Sequence, residues 1–211
     1  PDLDGNQRIV AGTVDLGAYE RPGDLCHVQN FFTGETLRSP SADVLQAIHD
    51  SAATVNTHII RVSGVCTATT GGNLLDMTKD LTFEGDWNVD FTVRDPAQFR
   101  AIIDGAKIAR VLNIQNSVND SLLTGLTIRN GNADSGGGIN NSGTVTLSNS
   151  IITGNSTSQS GIGGGGISNS GTVTISNSTI AGNSTGEFGA GGGIRNSGTV
   201  TLSNSIITGN S

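Results

Sequence analysis

Three near-identical segments run to the carboxy-terminal end of the chain: GGGINNSGTVTLSNSIITGNS, GGGISNSGTVTISNSTIAGNS and GGGIRNSGTVTLSNSIITGNS. Ser142, Ser170 and Ser197 hold equivalent places, so the unit repeats after 28 and then 27 residues. A unit of this length with no helical spacing inside it must stack on copies of itself to bury its apolar side. Within each unit the apolar residues alternate: Val145 and Leu147 flank Thr146, Val173 and Ile175 flank Thr174, and Val200 and Leu202 flank Thr201. Alternation marks a half-buried strand. Ile152, Ile180 and Ile207 add a second apolar site per unit, and Ile139, Ile167 and Ile194 a third. Three short strands separated by Gly, Asn and Ser make one turn of a three-sided coil. Coils stacked at about 4.8 Å then build a column of aliphatic ladders.

With Val and Leu inward, Thr144, Thr146, Thr172, Thr174, Thr199 and Thr201 face outward. Asn149, Asn177 and Asn204 recur at one corner, and Asn155, Asn183 and Asn210 at another. Asn tolerates left-handed backbone, and its amide bridges from coil to coil, so these columns read as structural. Unit length varies only between GNS and GGGI, at residues 157–163 and 185–190. In repeat proteins such insertions gather on one face, often the binding face.

The chain is rich in Gly, with 31 in 211 residues, and only 4% aromatic, a balance that approaches disordered composition. The aliphatic register argues against disorder, because a disordered segment has no reason to keep it. A net charge of −7 disfavours nucleic acid and anionic membrane as partners. No apolar run is long enough for a transmembrane helix and no stretch reads as a signal peptide, so no membrane insertion is expected. Cys26 and Cys66 lie on either side of a helical segment. A disulfide between them would staple the amino-terminal region and imply an oxidising compartment; two free thiols are the alternative.

Four stretches follow in order: a tail segment over 1–25, a lead-in segment with a capping helix over 26–57, irregular coils over 58–130 and regular coils over 131–211. Residues 24–40 carry no periodic pattern and read as irregular. Leu45, Ile48 and Ala52 then form one apolar stripe of a short helix, with Ser41 as N-cap and Asp43 in its first turn. Such a helix covers the open end of a solenoid core. Strands are expected at 58–65, 80–83, 101–103, 110–114 and 123–129, with Ile60 and Val62 inward.

Residues 1–23 carry Asp2, Asp4, Gly5, Arg8, Val14, Asp15, Gly17, Ala18, Tyr19 and Glu20. This pattern resembles the carboxy-terminal signature of the choice-of-anchor Q type of bacterial β-helix protein. A closing motif at the beginning suggests a tandem protein or a segment of a longer one. The run DLTFEGDWNVDFTVRDPAQFRAIIDGAKIARVLNI resembles the opening coils of pectin-lyase-like and polymorphic-outer-membrane-protein β-helices. The GGGI and GN segments are similar to the paired repeats of that group. The resemblance implies an all-β fold, a right-handed parallel β-helix with a short N-terminal capping helix. It also implies a bacterial, secreted or cell-surface location.

Pectin-lyase-like folds host lyases and hydrolases, so the site must decide. Hydrolysis needs two carboxylates on one groove, and a lyase needs a base. Beyond Gly131 the only charged residues are Asp134, Glu187 and Arg195, in different repeats. Upstream, Asp86, Asp90 and Asp104 with Arg110 form the best enzyme candidate. The plainer reading is a solvated mixed-charge loop around Trp87 and Phe91. His27, His49 and His58 lack metal spacing, and Asp2, Asp4 and Asn6 lack the Gly and Glu placement of a calcium loop, so no metal and no cofactor is expected.

The leading expectation is a non-enzymatic structural or adhesin-like module, with a glycan or another surface protein as partner. A polysaccharide lyase, glycoside hydrolase or glycan-binding β-helix is the second. Ice binding through the Thr-x-Thr ladder is the third, with steps of about 6.7 Å along a strand and about 4.8 Å between coils. The last coil reads as an open edge, and end-to-end association through it is a further expectation.

Overall fold

The computed structural model describes residues 25–52, 58–158, 163–187 and 189–211, together with the antiparallel pair Ile9–Val10 and Thr13–Val14. The other residues of the amino-terminal motif lie outside the described residues.

The chain winds into a parallel β-helix of five full coils and two sides of a sixth. The first face stacks the opening half of His58–Thr67, then Leu81–Glu84, Ser121–Thr124, Thr144–Ser148, Thr172–Ser176 and Thr199–Ser203. The second stacks the closing half of His58–Thr67, then Ala101–Asp104, Leu126–Arg129, Ile151–Thr153, Thr179–Ala181 and Ile206–Thr208. The third stacks Gly72–Met77, Ala109–Ile114, Ile139–Asn141, Ile167–Asn169 and Ile194–Asn196. Every pairing between coils is parallel and in register, so each inward residue meets its equivalent above and below.

The three expected apolar sites are the three inner faces. Val145, Leu147, Ile152, Ile139, Val173, Ile175, Ile180 and Ile167 are fully buried in one continuous core. Ile194 at the end of the third face and Val200 in the last coil pack on that core; in that coil Leu202 and Ile207 have a neighbour on one side only and stay about half exposed. The glycine triples have a steric cause. A Cβ on Gly137, Gly165 or Gly192 would sit 2.1–2.2 Å from the carbonyl oxygen of Ser156, Ser184 or Ser211. Only a residue without Cβ lets the third face close that tightly.

Polar ladders hold the corners. Asn155 Nδ2 donates to Asn183 Oδ1 at 2.9 Å, and Asn183 Nδ2 to Asn210 Oδ1 at 2.9 Å. A second ladder runs through Asn141, Asn169 and Asn196, each amide donating to the next at 2.7 Å. Ser150 and Ser178 accept the backbone N–H of Leu126 and Ser150, and each donates back to a carbonyl two residues earlier. Asn149, Asn177 and Asn204 do something else. They are exposed, and they take left-handed backbone with φ of 47–49° where the chain turns from first to second face.

Three features of the amino-terminal part differ from expectation. Within the segment expected to be irregular, Cys26–Asn30 and Thr36–Ser39 form an antiparallel hairpin whose first strand pairs antiparallel with His58–Thr67. The hairpin thus covers the backbone edge of the first coil, a pairing whose cause lies in a distant strand. The helix spans Asp43–Ser51 with Ala42 at the N-cap, one residue later than expected; Ser41 Oγ still accepts the Asp43 N–H at 3.4 Å. Leu45, Ile48 and His49 face the core. Strand Gly72–Met77 also went unforeseen, because its outer residues Asn73 and Asp76 are polar.

The helix is tied down by its neighbours. Lys79 Nζ donates to the carbonyls of Ala52 and Asp50 at 2.6 and 3.2 Å, closing the helix C-terminus. His49 is fully buried; its Nε2 accepts the Thr78 N–H at 3.2 Å, which leaves the proton on Nδ1 to bond Asp50 Oδ1 at 2.8 Å. Burial holds the His49 pKa below its usual 6.5, more than the Asp50 hydrogen bond raises it. The unfolded chain therefore gains a proton near pH 6.5 that the native cap does not take up. Stability is full above pH 6.5 and falls as pH drops below it, by up to about 1.4 kcal/mol per unit until His49 protonates in the native state. Urea midpoints at pH 7.5 and 5.5 are expected to show this loss, and His49→Gln to reduce it.

Candidate functional site

The outward positions of the regular first face form a lattice of hydroxyls. Thr144, Thr172 and Thr199 pair in one column, Thr146, Thr174 and Thr201 in the next, and Ser148, Ser176 and Ser203 in a third. Val145, Leu147 and their equivalents point inward between them, so the hydroxyl side chains stand on the outer surface. Rows repeat at about 4.8 Å and columns at about 6.7 Å, and no ionisable group interrupts the lattice. Its upstream border is sharp: the second column continues as Leu122, Thr82 and Ile59, and the third as Thr124, Glu84 and Arg61. Strict repetition is therefore confined to the last three coils.

The carboxylates and the arginine singled out from the sequence do not converge. Asp104 ends a second-face strand, where Arg129 Nε and Asn130 Nδ2 donate to it at 2.6 and 3.1 Å. Arg110 belongs to the third face, donating to Ser135 O at 3.0 Å and to Asn73 Oδ1 at 2.6 Å. Burial pulls its pKa down, against the fields of Asp76 and Asp134. Asp90 is exposed, 4.0 Å from Arg38. Asp86 follows the first-face strand Leu81–Glu84 with left-handed backbone, φ 64°, and is largely buried. That burial raises its pKa, against the pull of Arg94 and Arg100. Each of the four has its own partners, and the paired-carboxylate groove that hydrolysis requires is not assembled from them. Among the described residues no group of three or more His, Cys, Asp or Glu is placed to hold a metal ion.

The amino-terminal coils carry a different feature. In regular coils the corner between first and second faces takes one or two residues, as at Asn149–Ser150; in the second coil it takes residues 85–100. This excursion is internally bonded. Trp87 bridges Arg94, the Asn88 N–H donates to Val93 O at 2.9 Å, and Asn88 Oδ1 accepts the N–H of Thr92 and Val93. Its base is anchored where Asp95 N–H donates to Asp86 O at 2.9 Å, Arg94 Nε to Gly85 O at 3.0 Å and Ser63 Oγ to Trp87 O at 2.7 Å. The Arg61 guanidinium lies between two rings, 4.0 Å from Trp87 and 4.1 Å from Phe31. Between the excursion and the second face lies a cleft of about 390 Å³. Val65 and Ile102, adjacent in the parallel register, line it together with Trp87 and Phe99. Sequence reasoning noted Trp87 but not Phe99, Val65 or Ile102 as site residues; the outward pair Val65 and Ile102 exists only once the coils are stacked.

Cys26 and Cys66 are joined as a disulfide that links the hairpin to the first coil, with Cα atoms 4.4 Å apart. No family model matches the chain, and neither a curated protein nor a solved structure matches it.

Proposed function

We propose that the chain is a non-catalytic β-helical module of a secreted or surface-attached bacterial protein, structural or adhesin-like, that engages an extended partner through its repeats. The observation that carries this reading is the in-register hydroxyl lattice, repeated over three coils and free of ionisable groups. Thr and Ser hydroxyls on a rigid flat sheet donate to and accept from a polymer surface at many equal points, each weak and jointly additive. The disulfide at the cap supports an oxidising compartment. The resemblance to choice-of-anchor Q and polymorphic-outer-membrane-protein β-helices points the same way. On a glycan array the isolated chain is expected to bind at least one surface glycan, and the double variant Thr146→Lys with Thr174→Lys to lose that binding. Product release from a polysaccharide panel would overturn the non-catalytic reading.

A second reading takes the same lattice as an ice-binding face. Its support is the register itself, which fixes hydroxyls at two constant spacings. Thermal hysteresis that disappears in the same double variant would select it; none at millimolar protein would remove it.

A further inference from the structure

We propose that the cleft between the 85–100 excursion and the second face of the first two coils binds a pyranose unit of a neutral glycan. The cleft is separate from the hydroxyl lattice, which lies on another face and in later coils. Its volume, about 390 Å³, falls in the range of small-ligand sites. The chemistry of its lining is mixed in the way a sugar ring is mixed. A pyranose shows C–H groups on its faces and hydroxyls around its edge; the cleft offers Trp87, Phe99, Val65 and Ile102 for the first and polar side chains for the second.

Trp87 is the informative residue. Arg61 covers one face of its indole, and the residue also lines the cleft. Its Nε1–H is buried and has no hydrogen-bond partner among the described residues. That donor is closed to solvent, so a sugar in the cleft meets the indole through its ring carbons rather than through Nε1. The walls are held before any ligand arrives, because both sides of the excursion are hydrogen-bonded to each other and to the coil below. Little ordering entropy is then lost on binding.

Charge selects the class of glycan. Arg100 is the single ionisable residue lining the cleft, and the Asp86 carboxylate lies within its electrostatic reach. The chain as a whole carries −7, which repels polyanions. Arg100 therefore serves as a hydroxyl donor to a neutral sugar rather than as a counter-ion for a polyuronate.

The chain reports on this site by itself, since Trp87 is its only tryptophan. Titrating the full chain with cellohexaose, xylohexaose and mannohexaose is expected to give a saturable change in tryptophan emission with at least one of them. By calorimetry, Phe99→Ala is expected to weaken that ligand about tenfold, and Glu187→Gln, outside both the cleft and the lattice, to leave it unchanged. Should Phe99→Ala alter the circular-dichroism spectrum, Phe99→Leu keeps the apolar volume, removes the ring and carries the same expectation. No saturable response, an affinity indifferent to Phe99, or tighter binding of hexagalacturonate would each overturn the proposal. Loss of binding in the lattice variant but not in Phe99→Ala would assign glycan contact to the repeats instead.

Discussion

Reducing the Cys26–Cys66 disulfide is expected to destabilise the fold by about 4 kcal/mol, from the entropy released when a loop of about 40 residues is freed in the unfolded chain. Both cysteines are fully buried, and the bond joins the hairpin that covers the first coil to the strand it covers. The damage should start locally. A solenoid is stabilised by nearest-neighbour contacts, so loosening the cap exposes the first coils before it reaches the last. Urea melts with and without reductant give the size of the effect. Hydrogen exchange gives its place: protection is expected to fall over His58–Thr67 and to persist over Thr144–Ser148 and Thr172–Ser176. An unchanged midpoint under reductant would show that the cap contributes little.

Asn183→Ala is expected to cost about 3 kcal/mol, although it removes only a small polar side chain. Asn183 is fully buried, and its Oδ1 accepts the N–H of Asn155 at 3.1 Å as well as the Asn155 amide at 2.9 Å. Its Nδ2 serves Ile152 O at 3.0 Å and Asn210 Oδ1 at 2.9 Å. Alanine leaves a buried N–H and a buried C=O without partners, each costing roughly 1–3 kcal/mol. The comparison variant is Asn177→Gly. Asn177 is exposed at φ 49°, a conformation glycine adopts without strain, so its removal is expected to change stability by a few tenths of a kcal/mol. Equal losses in the two variants would refute this division of roles between the asparagine columns.

Those two asparagines also mark how far sequence reading reaches. Asn177 and Asn183 recur with the same period and in similar company, and both were legible as corner residues. The sequence held no sign of which column faces water and which carries the buried ladder, because that depends on the direction of each turn. The column of Asn141, Asn169 and Asn196 was visible as a constant Asn before Ser-Gly, yet it drew no separate reading. The same limit appears at the candidate sites. The Thr columns were legible because strand alternation alone fixes which residues face outward. The candidate set Asp86, Asp90, Asp104 and Arg110 was chosen by proximity in sequence, and the coil sends its members to different sides. The cleft was hidden for the converse reason: Val65, Trp87, Phe99 and Ile102 are scattered in sequence and meet only through the parallel pairing of Val65 with Ile102.

The sequence by itself determined the repeat length, the three inward-facing apolar sites and the outward hydroxyls, since these follow from local alternation and from a period that only stacking satisfies. Tertiary structure alone decided that residues 26–39 form an edge-covering hairpin, which corners are buried, and where an irregular excursion creates a cleft. Each of those depends on a partner many residues away, and a local pattern carries no information about what will lie across from it.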